Sequence, residues 1–186
     1  MKKTNFLRKK IIYEKTTSYI TNNFHIDFRF KFFNFYNEIN YMKRSRKLDK
    51  IFCDLNKDLN LPSKDSIVTL SVLLTNDNEI CKINKKFRNK NKPTNVLSFP
   101  SNKNYIKHLV KSTSEFHIGD IILSMERIFE ESIVEKKSLN DHFLHILIHG
   151  ILHILGYDHV SNLERKEMEK QEIKILSNLG IKDPYV

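Results

Sequence analysis

The stretch LNDHFLHILIHGILHILGYDH, residues 139–159, carries apolar side chains at Phe143, Leu144, Leu147, Ile148, Ile151, Leu152, Ile154 and Leu155. They recur at spacings of three and four, too densely for a surface helix, so the pattern predicts a largely buried helix over 139–155. Ser138 stands at the N-cap position with Asp141 three residues later as a capping-box variant, and Gly156 follows the last periodic residue as a C′ glycine does. His149 and His153 are i and i+4 on this helix, which places their Cβ atoms roughly 5–6 Å apart on one face. One ion held at about 2.0–2.1 Å from each nitrogen is within reach of both. Gly156 can adopt a positive φ and turn the chain back, bringing His159 towards the His153 end as a third imidazole.

Three neutral nitrogen ligands leave the fourth tetrahedral position of zinc open, the pattern of a catalytic rather than a structural site. The only cysteines, Cys53 and Cys81, are far apart and outside any CxxC pair, so a thiolate cage is not expected. His145, four residues before His149, reads as a hydrogen-bonded core residue. For His149, His153 and His159 together the balance reverses, because several unpaired buried imidazoles are costly without a cation. One zinc ion is the expected cofactor. A zincin peptidase would carry H-E-x-x-H with its glutamate as general base, and here that position is Gly150. Peptide hydrolysis therefore ranks below reactions in which a metal and a cationic group share the work, and phosphoryl substrates fit that description.

A second constellation lies upstream. Between Lys82 and Lys92 the chain carries six positive charges and no acid, then runs into Pro93 and the strand-like Val96–Phe99. A lysine run is commonly a solvated loop, and Lys82, Lys90 and Lys92 fit that reading. Arg88 is the exception, since its planar fork suits phosphate and can offset charge in a transition state. Lys85 and Lys86 beside it are further candidates for substrate contact.

The residues HGILHILGYDH, with FRNKNKPTNVLSFP at 87–100 and IGDIILS at 118–124, resemble the YbeY family of bacterial metal-dependent endoribonucleases. The likeness runs from about residue 24 to the LGIKDPY segment. It implies a single-strand-specific RNase acting in maturation of ribosomal RNA, notably the 3′ end of the small-subunit RNA, and in ribosome quality control. Carried over by position, it implies metal ligands at His149, His153 and His159 and a functionally important arginine at Arg88, with Arg88 and His149 as catalytic residues. Single-stranded RNA and the small ribosomal subunit are the partners it implies. Asn95 stands where many members have aspartate, and no chemistry is assigned to it. Asp158 is a candidate for orienting a ligand imidazole from behind, with an exposed turn residue as the alternative. Water and the RNA 2′-hydroxyl both remain open as nucleophile. Two other classes share the same ligands: a zinc hydrolase of another substrate, and a ribosome-associated RNA-binding assembly factor whose metal is architectural.

Outside these motifs, alternation predicts a strand from His25 to Phe33, with Ile26, Phe28 and Phe30 on one face and Asp27, Arg29 and Lys31 on the other. Leu48–Leu59 reads as an amphipathic helix, Ile67–Leu74 as a strand, and Asn76 or Asp77 as the cap of a helix through Ile80, Ile83 and Phe87 that presents Arg88. Tyr105–Phe116 has no period and reads as a loop near the site. Ile118–Leu123 is predicted as a strand, Ser124–Lys136 as a helix, and Leu163–Leu179 as a final helix with Ile173, Leu176 and Leu179 inward. Strands and helices mix without strict βαβ alternation, which predicts one α+β domain with a mixed sheet, and the resemblance implies about four strands.

At 186 residues and 40% apolar content, one domain with a proper core is feasible. Residues 24–186 read as that domain and residues 1–23 as a basic N-terminal extension, a candidate for disorder. Residues 1–50 hold thirteen Lys/Arg against four Asp/Glu, so nearly all of the net charge of +10 is N-terminal. A basic arm on a near-neutral domain suits salt-sensitive attachment to RNA, although a nucleotide-biased genome gives the same Lys/Asn/Ile/Phe excess. Met1-Lys2-Lys3 opens like a signal peptide, but no uninterrupted apolar region follows before Arg8, and a transit peptide would be richer in Arg and Ser. With no run of eighteen apolar residues to span a bilayer and two unpaired cysteines, a soluble, cytoplasmic protein is expected.

Overall fold

A computed structural model describes residues 15–21, 24–30, 46–59, 67–101 and 115–186. Its strands are β1 (Lys15–Thr21), β2 (Phe24–Phe30), β3 (Ile67–Thr75), β4 (Val96–Pro100) and β5 (Glu115–Ser124). Its helices are α1 (Lys47–Leu59), α2 (Asp77–Arg88), α3 (Met125–Val134), α4 (Leu139–Ile154) and α5 (Asn162–Asn178). Among the described residues the strands form one mixed sheet in the order β1-β2-β3-β5-β4, with β2, β3 and β5 parallel and both outer strands antiparallel to their neighbours. The architecture is α+β, with five strands rather than about four. The added strand, β1, lies within the stretch read as an extension.

Period-two alternation decides which way each strand faces. Phe24, Ile26, Phe28 and Phe30 of β2 and Val68, Leu70, Val72 and Leu74 of β3 are buried, and parallel pairing aligns the two sets. In β5 the register shifts between Thr69 and Leu70 of its partner, so that Ile118 is the extra residue of a bulge. Beyond it Gly119, Ile121 and Leu123 stand opposite Leu70, Val72 and Leu74. The bulge thereby puts β5 in phase with the core. Each large apolar side chain so buried contributes about 1.5–3 kcal/mol relative to exposure.

On this face Leu48, Ile51, Phe52 and Leu55 of α1, the α4 residues Phe143, Leu144, Leu147, Ile148, Ile151 and Leu152, and Met168, Ile175 and Leu176 of α5 join one apolar cluster with the strands. On the other face α2 packs against β5, with the Phe87 ring edge-on to Phe99 of β4 at 5.1 Å between centroids, while Ile80 and Leu97 are buried apart from the main cluster. A cavity of about 700 Å³ opens on this outer face between Arg29, Leu73, Phe87 and Asp120 and contains none of the candidate residues.

Two elements differ from expectation in detail. The inward line of α5 is Met168, Glu172, Ile175 and Leu176, whereas Ile173 and Leu179 are only half-buried. The stretch predicted as a loop begins β5 at Glu115 and Phe116, and its residues 105–114 lie outside the described residues, as do Lys31–Phe33 at the end of the first predicted strand.

Candidate metal centre

α4 is fixed at both ends. The Ser138 hydroxyl accepts from Asp141 N at its start. At its end Gly156 (φ +93°) donates to His153 O at 3.1 Å while Tyr157 N donates to Leu152 O at 3.0 Å, the paired bonds of a Schellman turn. The middle of the helix rests on the sheet at Gly150, where a Cβ would come within 3.2 Å of Ser98 Oγ and Val96 Cγ2. Ser98 Oγ also donates to Gly150 O at 3.0 Å. Position 150, where a zincin has its glutamate, therefore faces β4 and β5.

His149 and His153, both half-buried, meet the exposed His159 beyond the Schellman turn, and one ring nitrogen from each lies within 4.8 Å of the others. Ring centroids are 4.6 Å apart for His149 and His153, 5.5 Å for His149 and His159, and 5.0 Å for His153 and His159.

The bonds behind the rings fix their tautomers. His149 Nδ1 lies 2.8 Å from Glu172 Oε1, and His153 Nδ1 lies 3.0 Å from the Tyr157 carbonyl oxygen. Both oxygens only accept, so both Nδ1 atoms carry the proton. In the neutral rings the two Nε2 atoms are then bare lone pairs, and they face each other at 3.1 Å. Two such lone pairs repel unless a cation lies between them. Ligands at about 2.0–2.1 Å from a tetrahedral ion sit roughly 3.3 Å apart, so the spacing and the donor set fit zinc.

Electrostatics agree. Burial and then the neighbouring His149 and His159 lower the pKa of His153, which keeps its ring neutral, the form that binds metal. Glu172 is fully buried. Burial alone would raise its carboxyl, but hydrogen bonds from His145, His149 and Tyr185 outweigh that and hold it at about 2. His145 is hydrogen-bonded as expected, with Nε2 3.2 Å from Glu172 Oε2, but is half-buried rather than a core residue.

The partners behind the His149 and His153 rings are thus Glu172 and the Tyr157 carbonyl. Asp158 is exposed and accepts from His159 N at 2.8 Å, reaching His153 only through space. Sequence reasoning missed Glu172, although its position carried a signal: one acid at the i+4 position of the apolar line Met168, Ile175, Leu176.

Arg88 ends α2, whose cap is Asn89 at φ +59°. It lines a polar cavity of about 530 Å³ with Lys90, Lys92, Asn95, Arg127 and Glu131. The three histidines, Lys85 and Lys86 are not part of that lining. Lys85 is exposed, and Lys86 Nζ lies 5.2 Å from the Phe87 ring centroid. Asn95 donates to Glu131 Oε2 at 3.1 Å, and the same oxygen is 2.9 Å from His142 Nε2, so polar contacts run from the basic cavity to the first turn of α4.

An α+β domain in which one buried helix and the turn after it converge three histidines defines a protein with a candidate three-nitrogen metal centre. The family model of the Endoribonuclease YbeY family matches residues 32–180, and the chain belongs to that family. A curated relative from Francisella philomiragia subsp. philomiragia, named Endoribonuclease YbeY, is 43% identical over 117 residues, covering 63% of this chain and 73% of the relative. The solution structure of TM1509 from Thermotoga maritima is 26% identical with a TM-score of 0.46, covering 72% of this chain and 81% of that one.

Proposed function

We propose that this chain is a cytoplasmic, zinc-dependent endoribonuclease that cuts single-stranded RNA, acting on the 3′ end of small-subunit ribosomal RNA and in ribosome quality control. Family membership makes it a nuclease that hydrolyses RNA phosphodiester bonds. The observation that carries the metal reading is the pair of bare Nε2 atoms at 3.1 Å, backed by an exposed third imidazole. His149, His153 and His159 would hold one ion. Bound zinc supplies Lewis-acid polarisation of a phosphoryl oxygen and an activated water. Arg88 binds a phosphate of the substrate through its fork, and Lys90 and Lys92, which share its cavity, hold the neighbouring backbone. Lys85 and Lys86 add positive field without a built contact. No helix among the described residues is long and apolar enough to cross a membrane.

A set of three histidines with one exposed member favours a catalytic over an architectural metal, since closed sites surround their ion with four protein ligands. The test is incubation of purified wild type, Arg88→Ala and His153→Ala with labelled single-stranded and duplex RNA, with and without chelator. Wild type alone should cut, only the single strand, and only without chelator. Equal cleavage by folded variants would place the activity elsewhere.

A further inference from the structure

The segment after α5 reaches back to the histidine centre. α5 closes in a second Schellman turn at Gly180, with Gly180 N on Ser177 O at 2.9 Å and Ile181 N on Leu176 O at 2.9 Å. The residues that follow are held at two points. Lys137 Nζ donates to Pro184 O at 3.0 Å, and the Tyr185 hydroxyl donates to Glu172 Oε2. The Tyr185 ring also stands edge-on to His145, with centroids 5.7 Å apart and planes at 87°. Glu172 divides its oxygens: Oε1 takes His149 Nδ1, and Oε2 takes Tyr185 and His145 Nε2.

We propose that Glu172 and Tyr185 are positioning residues of the metal centre: Glu172 fixes the tautomer and tilt of His149, and Tyr185, with His145, fixes Glu172. The terminal torsion of a glutamate is broad and roughly two-fold. One bond to His149 would leave the carboxylate free to turn; bonds to its second oxygen from a hydroxyl and an imidazole on opposite elements remove that freedom. A carboxylate behind a ligand imidazole raises its basicity and sets its direction, and loss of such a partner typically lowers metal affinity about 10–100-fold. The Asp183-Pro184-Tyr185 turn is on this view part of the apparatus that holds the ion. The inference rests on reading the three histidines as a metal site.

The test measures zinc affinity of the full chain by competition with a chromophoric chelator, for wild type, Tyr185→Phe and Glu172→Gln, beside thermal melts of each metal-free protein. Wild type should bind one zinc. Glu172→Gln should bind about 10–100-fold more weakly. Tyr185→Phe should fall in the same direction by a smaller factor, with a metal-free melt close to wild type. Unchanged zinc affinity in both variants, whatever their melts do, overturns the inference and leaves the metal site standing. Failure of wild type to bind zinc overturns the metal reading itself. Should Glu172→Gln not fold, Tyr185→Phe decides alone, because it keeps the ring and removes only the hydroxyl.

Discussion

At the scale of single residues, glycine marks where the histidine-bearing helix meets the sheet. Writing the zincin motif into this chain as Gly150→Glu drives a carboxylate into Ser98, Val96 and Ile121, whose atoms already lie 3.2–3.3 Å from an added Cβ. Overpacking of this kind costs about 3 kcal/mol or more, a fall in Tm of roughly 6–12 °C, and calorimetry should show it without any gain of peptide hydrolysis. His153 carries a pH dependence. Its proton affinity is lowered in the fold, so the unfolded chain binds more protons, and the stability of the metal-free protein is full above the ordinary value of 6.5 and declines as pH falls below it. Melts of metal-free wild type between pH 7.5 and 5 should slope more steeply than those of His153→Gln; parallel curves would refute the assignment. The trio is legible in the sequence because its geometry is local, an i, i+4 pair and a glycine turn. Glu172 is not, since its contact with His149 joins two helices 23 residues apart and depends on how α5 lies against α4.

At the scale of elements, caps and breakers read well. Ser138, Asn76 and Gly156 each stand at a helix end where the structure has a capping bond or a positive φ. Sheet order is a different matter. Strand pairing couples distant segments, and the β1-β2 hairpin brings Lys15–Thr21 into the sheet although those residues lack a strong alternating pattern. The half-burial of Ile173 has the same origin, because α5 turns its Glu172 line inward to meet the histidines. The turn at Gly156 allows a sharp prediction. No atom lies within 4 Å of a Cβ there, so Gly156→Ala suffers no clash, only the left-handed backbone at φ +93°. That strain costs about 1–2 kcal/mol. Part of it should relax by moving His159, so zinc affinity falls along with Tm, in contrast to an exposed substitution on α5.

At the scale of the whole molecule, the proposed roles of charge and metal can be tested separately. Residues 1–14 hold five Lys/Arg and one Glu, and deleting them should weaken RNA binding uniformly across sequences while flattening its dependence on salt. Retention of the full salt slope by the truncated chain would show that the arm does not touch RNA. Stripping zinc should lower Tm of wild type by an amount that grows with free metal concentration over Kd, and should leave the melt of His153→Ala unaltered.

His159 stands apart from its two companions: they are mounted on a helix wedged against β4, and it rides on the exposed turn beyond. An ion held by the three histidines would then be loaded and released on the loop side of the centre, through His159 rather than through the helix pair. Exchange kinetics should accordingly respond to changes in the 156–161 turn far more than to changes in the apolar packing beneath α4.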